Sequence, residues 1–273
     1  MLKKTLKKIS AHSVAILTSL IMFIPIYLVT VNALKDKVEA SSMSLNFPTQ
    51  LHWENFVTVI EKGKLAQAFG NSLLYATAAT LLGIALSAAA AYVLSRNRTK
   101  FNRFLYFLII MGIAVPLNFV TLTKIMQVTH LINSQIGIII LYAATQIPFS
   151  VFVMYAFVDT IPRELDEAAI IDGCNPLQLF TFIIIPMLTP ALVTTAILSF
   201  LGVWSEFLLP LYFLNSSDKW PMTLAIYSFF GQFEADWSLV SADIVLTILP
   251  VILIYLLGQR YIISGMTSGA VKG

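Results

Sequence analysis

Long runs of apolar residues, separated by shorter polar stretches, alternate along the whole chain. They cover about residues 13–34, 69–95, 104–127, 134–158, 189–214 and 242–263. A helix of about 20 apolar residues spans the hydrocarbon core of a bilayer. The pattern therefore predicts an all-α membrane protein with six transmembrane helices, forming a single transmembrane domain over residues 1–273. Lys3, Lys4, Lys7 and Lys8 ahead of the first run, and Val31-Asn32-Ala33 at its end, give it the look of a signal peptide. The run is too long for the apolar core of such a peptide, so it is read as an uncleaved first span.

The polar positions inside and between the runs refine this picture. Within residues 35–68, Trp53, Phe56, Val57 and Ile60 fall on one helical face, which predicts a short helix lying on the membrane surface. Ala79, Gly83, Ser87 and Ala91 recur every four residues in the second run, a row of small residues that lets helix backbones approach closely in lipid. The third run is broken by Gly112 and Pro116 and continues with Asn118, Thr121, Thr123 and Lys124. Polar groups at that depth need partners or water, so this half-span is expected to face a cavity or a neighbouring helix. Lys124 lies close enough to the end to snorkel outward. Gln146 and Pro148 interrupt the fourth run, and Trp204-Ser205-Glu206 the fifth. Asn118, Thr121, Gln146 and Glu206 are candidates for a polar path through the membrane. Simple interhelical hydrogen bonding is the equal alternative for each.

The segment between the fourth and fifth runs, residues 159–186, is rich in acidic residues. Asp159, Glu164, Asp166, Glu167 and Asp172 fall here, in a chain with 14 acidic residues. Pro162 suits a first helical turn, and the carboxylates that follow sit at the positive end of the helix dipole. Leu165, Ala168 and Ala169 form a small apolar face at i, i+3, i+4. Gly173 is placed to end the helix in a left-handed conformation. Asn175, Pro176 and Gln178 have the order N-cap, N1 and N3 of a new helix, which is expected to run into the next span.

Composition removes several classes of function. The chain is 58% hydrophobic and 11% charged, with a mean hydropathy of +0.83. Its single cysteine, Cys174, excludes an internal disulfide and a cysteine metal site. His12, His52 and His130 lie in unrelated places, so no metal site is expected. The phosphate-binding spacing G-x-x-x-x-G-K-[ST] is absent, so the chain carries no P-loop for ATP. The net charge of +3 does not point to nucleic acid, because the bases cluster at the ends of apolar runs. With a cytoplasmic N-terminus, Lys3, Lys4, Lys7, Lys8, Arg96, Arg98, Lys100, Arg103, Arg163, Arg260 and Lys272 lie inside. Lys35, Lys37, Lys62, Lys64, Lys124 and Lys219 lie outside. The excess inside places both termini, and residues 159–186, in the cytoplasm.

Glu167-Ala168-Ala169, then Gly173, Ile183 and Ile185-Pro186, closely resemble the EAA loop of bacterial ABC-importer permeases; Ile185 stands where that family usually has leucine. Pro48 to Phe56, Asn71-Ser72-Leu73 and Trp204-Ser205-Glu206-Phe207 also look like this family, with Ser205 in place of its usual asparagine. The ending Ser264 to Gly273 most resembles the shorter permease subunit of maltose-type carbohydrate importers. The resemblance implies the type I ABC importer permease fold in a bacterial cytoplasmic (inner) membrane. It implies a sugar, an oligosaccharide, as substrate, delivered by an extracytoplasmic solute-binding protein that meets the outer loop at residues 215–241. A second permease subunit would complete a heterodimer, and a separate ABC ATPase dimer would bind ATP and Mg, so this chain needs no cofactor and is not an enzyme. Glu167, Ala168, Ala169, Asp172, Gly173, Ile183 and Pro186 would couple to the ATPase. Gly265, Thr267, Gly269 and Lys272, in a cytoplasmic tail over residues 264–273, would reach between its subunits. Import of glycerol-3-phosphate or another polyol derivative is the alternative within the family, and an ion-coupled secondary carrier the alternative outside it.

Overall fold

The computed structural model describes residues 2–230 and 235–270, with side chains described over residues 10–230 and 235–262. Regular structure among them is helical, apart from one isolated antiparallel bridge between Phe230 and Ala235. In chain order the helices are α1 (Leu2–Asn32), α2 (Lys37–Ala40), α3 (Glu54–Lys62), α4 (Leu65–Arg96), α5 (Lys100–Ala114) and α6 (Phe119–Val128). There follow α7 (Gln135–Val158), α8 (Glu164–Ile171), α9 (Pro176–Gln178), α10 (Ile185–Trp204), α11 (Leu208–Phe213), α12 (Met222–Ala225) and α13 (Trp237–Ala270). A π-helical turn, Leu179–Ile184, joins α9 to α10 without a break. Five described helices are long and apolar enough to cross a membrane, and the bent pair α5–α6 makes a sixth when taken as one span.

Three spans differ from the sequence pattern, two of them at prolines. The third run is two helices meeting at 116°. Val115 ahead of Pro116 is extended, as residues before proline prefer, and Asn118 opens α6 by accepting the Thr121 N–H at 3.0 Å. Gly112 is not part of the break. It lies inside α5, where a Cβ would sit 2.7 Å from Pro148 Cγ on α7, so its role is close helix approach. The fifth span takes in the helix that starts at Pro176, as its cap leads one to expect, so it begins ahead of the apolar run near residue 189 and ends at Trp204. Pro186 offers no N–H and its ring crowds the carbonyl four residues earlier, and the helix widens into the π turn ahead of it. The sixth span continues as helical backbone to Ala270, through positions expected to form a loose tail. Gly265, Thr267 and Gly269 are described only as backbone, and Lys272 lies outside the described residues.

The chain divides into two compact units. One comprises Met1–Gln67 with Ala225–Leu249, the other Ala68–Leu224 with Pro250–Gly273. In the first, the segment after α1 is held by a buried lysine. Lys35 Nζ donates to Asn32 Oδ1 at 3.0 Å, to the Ser44 carbonyl at 2.8 Å and to Ser44 Oγ at 2.9 Å. Asn55 Nδ2 donates to the Ala33 and Lys35 carbonyls. Those bonds seat α3 with Val59 buried, while Trp53, Val57 and Ile60 stay exposed, the apolar face expected of a surface helix.

In the second unit the small-residue row is the packing seam. Ala79, Gly83, Ser87 and Ala91 are all buried, and Gly83 lies against Ala143 and Gln146 of α7. At the Arg96 end of α4 a core forms from Ala88, Ala91, Met154, Val158, Ile161, Ala169, Leu179, Ile184 and Leu188. Spans α4, α7 and α10 thus share one core with the polar segment between α7 and α10.

Candidate functional site

The segment after α7 is built from local caps that its own residues supply. Glu164, Asp166 and Glu167 fill the first turn of α8, where the helix dipole favours negative charge. Pro162 sits outside that helix, one residue ahead of its cap Arg163. At the other end Gly173 adopts φ +83°, with no other atom near the position of a Cβ. Its N–H donates to the Ile170 carbonyl at 3.0 Å, and the Cys174 N–H reaches the Ala169 carbonyl at 2.9 Å. This is the paired closure of a Schellman stop, and Cys174 and Ala169 both pack in the core beneath it. Asn175 and Gln178 then exchange reciprocal side-chain bonds of 2.9 Å to each other's N–H, with Pro176 at N1, and the next helix starts. Only Asp172 to Asn175 separate the two helices.

Which residues this turn exposes differs from expectation at one point. Glu167, Ala168, Asp172 and Pro186 are exposed and Ile183 is half-buried. Ala169, expected to present an outward face together with Ala168, is only 3% exposed and belongs to the chain's own core. The outward apolar surface comes instead from Ile170, Ile171 and, on α9, Leu177, with Ile171 85% exposed. Three exposed aliphatic side chains beside Glu164 and Glu167 make a surface suited to a partner with apolar and basic groups.

The end of α4 grips this segment, which the sequence did not reveal. Arg96 forms an ion pair with Asp166 of α8, Nε to Oδ2 at 2.6 Å, and donates from a terminal nitrogen to the Ile161 carbonyl at 3.1 Å. Arg98 pairs with Asp159 and donates through Nε to the Ser95 carbonyl. Ser95 Oγ donates to Asp159 Oδ1 at 3.3 Å, and Arg163 reaches the Ser95 carbonyl. Helix α8 is therefore tied to the end of α4 by charge as well as by packing.

Two of the four path candidates meet in a cleft of about 280 Å³ between α7 and α10. Tyr142, Thr145, Gln146 and Phe149 line one side; Leu198, Ser199, Gly202, Val203 and Glu206 line the other. The lining holds no Lys or Arg. Glu206 is committed to structure: its two carboxylate oxygens accept the Leu208 and Leu209 N–H groups at 3.0 and 2.7 Å and start α11. Gln146 lies beside Gly83 with both amide atoms shielded from water and without a hydrogen-bond partner among the described residues. Asn118 and Thr121 are elsewhere, joined to each other at the start of α6. No group of three or more His, Cys, Asp and Glu among the described residues could hold a metal.

At the opposite end of these spans, residues 213–223 are pinned by side chains distant in sequence. Asn133, itself at φ +55°, accepts the Asn215 and Ser216 N–H groups and donates to Ser216 Oγ at 2.7 Å. Lys219 Nζ donates to the Asn133 carbonyl at 2.6 Å, and Tyr75 Oη to the Lys219 carbonyl at 2.8 Å. Asn71 Nδ2 donates to the Asp218 and Trp220 carbonyls, and Ser72 Oγ accepts the Met222 N–H. The loop at residues 214–222 is a shaped platform, held on Asn71, Ser72, Tyr75 and Asn133.

Residues 79–268 match the model of the family described as binding-protein-dependent transport system inner membrane component. The chain is 30% identical over 266 residues to the diacetylchitobiose uptake system permease protein NgcG of Streptomyces coelicolor, covering 96% of this chain and 88% of that one. It is 33% identical over 254 residues to the melibiose/raffinose/stachyose import permease protein MelC of Bacillus subtilis, covering 92% of each. Among solved structures it matches a chain of a bacterial ABC transporter involved in the import of the acidic polysaccharide alginate, with TM-score 0.80, 20% identity and 93% and 96% coverage. With the spans, the tied and capped loop and these likenesses together, the chain belongs to the family of inner membrane components of binding-protein-dependent transport systems, as a multi-pass permease of the ABC importer fold.

Proposed function

We propose that this chain is a permease subunit of a binding-protein-dependent ABC importer for an oligosaccharide, in a bacterial cytoplasmic membrane with both termini inside. The family pairs such subunits with a second permease, an ATPase and a binding protein. The observation that carries the coupling role is the exposed Glu164, Glu167, Ala168, Ile170, Ile171 surface on a helix of eight residues, too short to hold itself and braced from behind by Arg96. Such a surface fits a cleft on an ABC ATPase dimer, which would bind ATP and Mg and do the chemistry that this chain does not.

In this reading Glu167, Ala168 and Asp172 contact the ATPase, Ala169 and Ile183 seat the loop on the spans, and Gly173 and Pro186 shape it. The tail with Gly265, Thr267, Gly269 and Lys272 reaches between the ATPase subunits. The platform at residues 214–222 receives the binding protein. Gln146 and Glu206 border the path, with Asn118 and Thr121 at its edge. A neutral sugar is favoured over glycerol-3-phosphate because the cleft offers no basic side chain for a phosphate. The names of the relatives, which concern diacetylchitobiose and melibiose, raffinose and stachyose, support the same substrate class.

The test is uptake by the complex reconstituted with its own partner permease, ATPase and binding protein. Raffinose, diacetylchitobiose, maltotriose and glycerol-3-phosphate are each supplied with ATP inside. ATP-dependent entry of an oligosaccharide, unaffected by collapse of ion gradients, is expected. Entry of glycerol-3-phosphate alone, or loss of uptake with the gradients, would replace this reading.

A further inference from the structure

A cavity of about 340 Å³, separate from the cleft between α7 and α10, opens where the end of α4, the first half of α5 and the end of α7 meet. It is lined by Leu94 and Arg98, by Arg103, Tyr106 and Phe107, and by Tyr155 and Asp159. The lining is basic and aromatic at once. Arg98 is neutralised by Asp159, but Arg103 makes no ion pair among the described residues. The Tyr106 and Tyr155 rings lie with centroids 4.1 Å apart and planes tilted by 32°, and their hydroxyls make no hydrogen bond among the described residues. The first turn of α5 carries Lys100 and Arg103 and no acid, so the helix dipole adds to this charge instead of offsetting it. Directly along α5 from the cavity, Phe104, Phe107, Leu108 and Met111 are all exposed, and α5 has no buried residue.

We infer that this cavity holds the headgroup of an anionic phospholipid of the cytoplasm-facing leaflet, its phosphate on Arg103 and the tyrosine hydroxyls and its acyl chains along α5. The inference rests on the inside placement of this end of the spans in the proposed function. Each part of the lipid meets its chemical match. Guanidinium forks suit phosphate oxygens, tyrosine belongs at the depth where ring and hydroxyl meet different media, and the exposed phenylalanines and aliphatics suit hydrocarbon. Basic pockets between spans on the cytoplasmic side are the established form of headgroup recognition. A soluble anion would use Arg103 but would leave the apolar strip of α5 without a role. The position also matters for coupling. Arg98 and Asp159 belong to the brace on the segment ahead of α8, so a phosphate beside them bears on the same joint.

The experiment uses the whole complex purified in detergent, with phosphatidylglycerol, phosphatidylcholine and inorganic phosphate as separate probes. Bound lipid is read by native mass spectrometry and protection by the thermal unfolding midpoint. Phosphatidylglycerol is expected to be retained and protective, phosphatidylcholine and inorganic phosphate not. Arg103→Gln should weaken phosphatidylglycerol retention by about fivefold, the contribution of one basic residue near an anionic surface. Arg103→Lys should keep most of it, which separates loss of charge from loss of fold. Equal retention by wild type and Arg103→Gln, or equal protection by phosphatidylcholine, would overturn the inference. Protection by inorganic phosphate alone would also overturn it, by showing an anion site without a lipid. None of these readouts needs sugar transport, so they stand whichever way the uptake experiment falls.

Discussion

Arg96 on α4 and Asp166 on α8 meet at 2.6 Å with side chains only 10% and 14% exposed, joining a membrane span directly to the short helix that follows another span. That helix has two other attachments. One is the Asp159 contacts at its approach, and the other is Ala169 packed against the core that α4, α7 and α10 share. Helix α8 is thus connected to α4 by side chains as well as to α10 along the chain.

The first prediction concerns this pair. Removing one partner strands the other in a poorly solvated place. A fully buried pair broken this way loses ~3–5 kcal/mol, and the residual exposure here lowers that to roughly 1–3 kcal/mol. Asp166→Asn and Arg96→Gln should each lower the unfolding midpoint and cut sugar-stimulated ATP hydrolysis, and the exchange Arg96→Asp with Asp166→Arg should recover part of both. Additive losses in the double exchange would show that the two residues do not act as a pair.

A second prediction follows from φ +83° at Gly173. A Cβ there meets no neighbour, so the penalty for a β-branched residue is one of backbone, about 1–2 kcal/mol. That strain is relieved most easily by undoing the turn between α8 and α9. Gly173→Val should leave membrane insertion and pairing with the second permease intact while abolishing sugar-stimulated ATPase activity. Gly173→Asn, which tolerates the left-handed region, should retain most of it. Co-purification of the subunits and ATPase assays with loaded binding protein decide the matter.

The adjacent alanines give a third. Ala168 is exposed and Ala169 is core, so one substitution has two different outcomes one residue apart. Ala168→Arg should yield a well-folded permease that fails to hold the ATPase. Ala169→Arg should destabilise the permease itself, because the charge has no room or partner between Leu179, Ile184 and Met154. Yield and unfolding midpoint of the isolated permease pair separate the two. Equal stability would mean that α8 turns about its axis.

How much of this was legible in the sequence follows the range of each interaction. The Gly173 stop and the Asn175–Gln178 box involve neighbours in the chain, so residue types and spacing announced them. The small-residue row in α4 was equally readable as a seam, since its period alone states which face packs. The inward position of Ala169 was not legible, because an Ala-Ala pair carries no polarity to say which member faces the core. The Arg96–Asp166 pair and the Asn133 platform depend on residues that only folding brings together. No local pattern distinguishes Arg96 from the other bases closing that span. The helix that starts at Asn175 and runs into the next span was legible in its cap, but the π turn ahead of Pro186 was not. Proline normally ends a helix, and a π turn that makes room for the ring leaves no mark in composition.

The last prediction tests the orientation on which the inside and outside of every element rest. Its motivation is the distribution of bases, eleven inside against six outside by the residues named above. Ser217 and Asn97 are both exposed, so a cysteine at either position is chemically accessible from its own side of the membrane. Neither side chain takes part in the braces at the two ends of the spans, so folding should survive both changes. The native Cys174 lies in the segment under test and is partly accessible, and it is first replaced by serine. In intact cells an impermeant maleimide should label Ser217→Cys and leave Asn97→Cys untouched. Permeabilising the membrane should then expose Asn97→Cys. The reverse order of labelling would place Glu167 and the end of α4 outside, where no ATPase could meet them, and would remove the coupling role. It would also move the Arg103 cavity to the opposite leaflet.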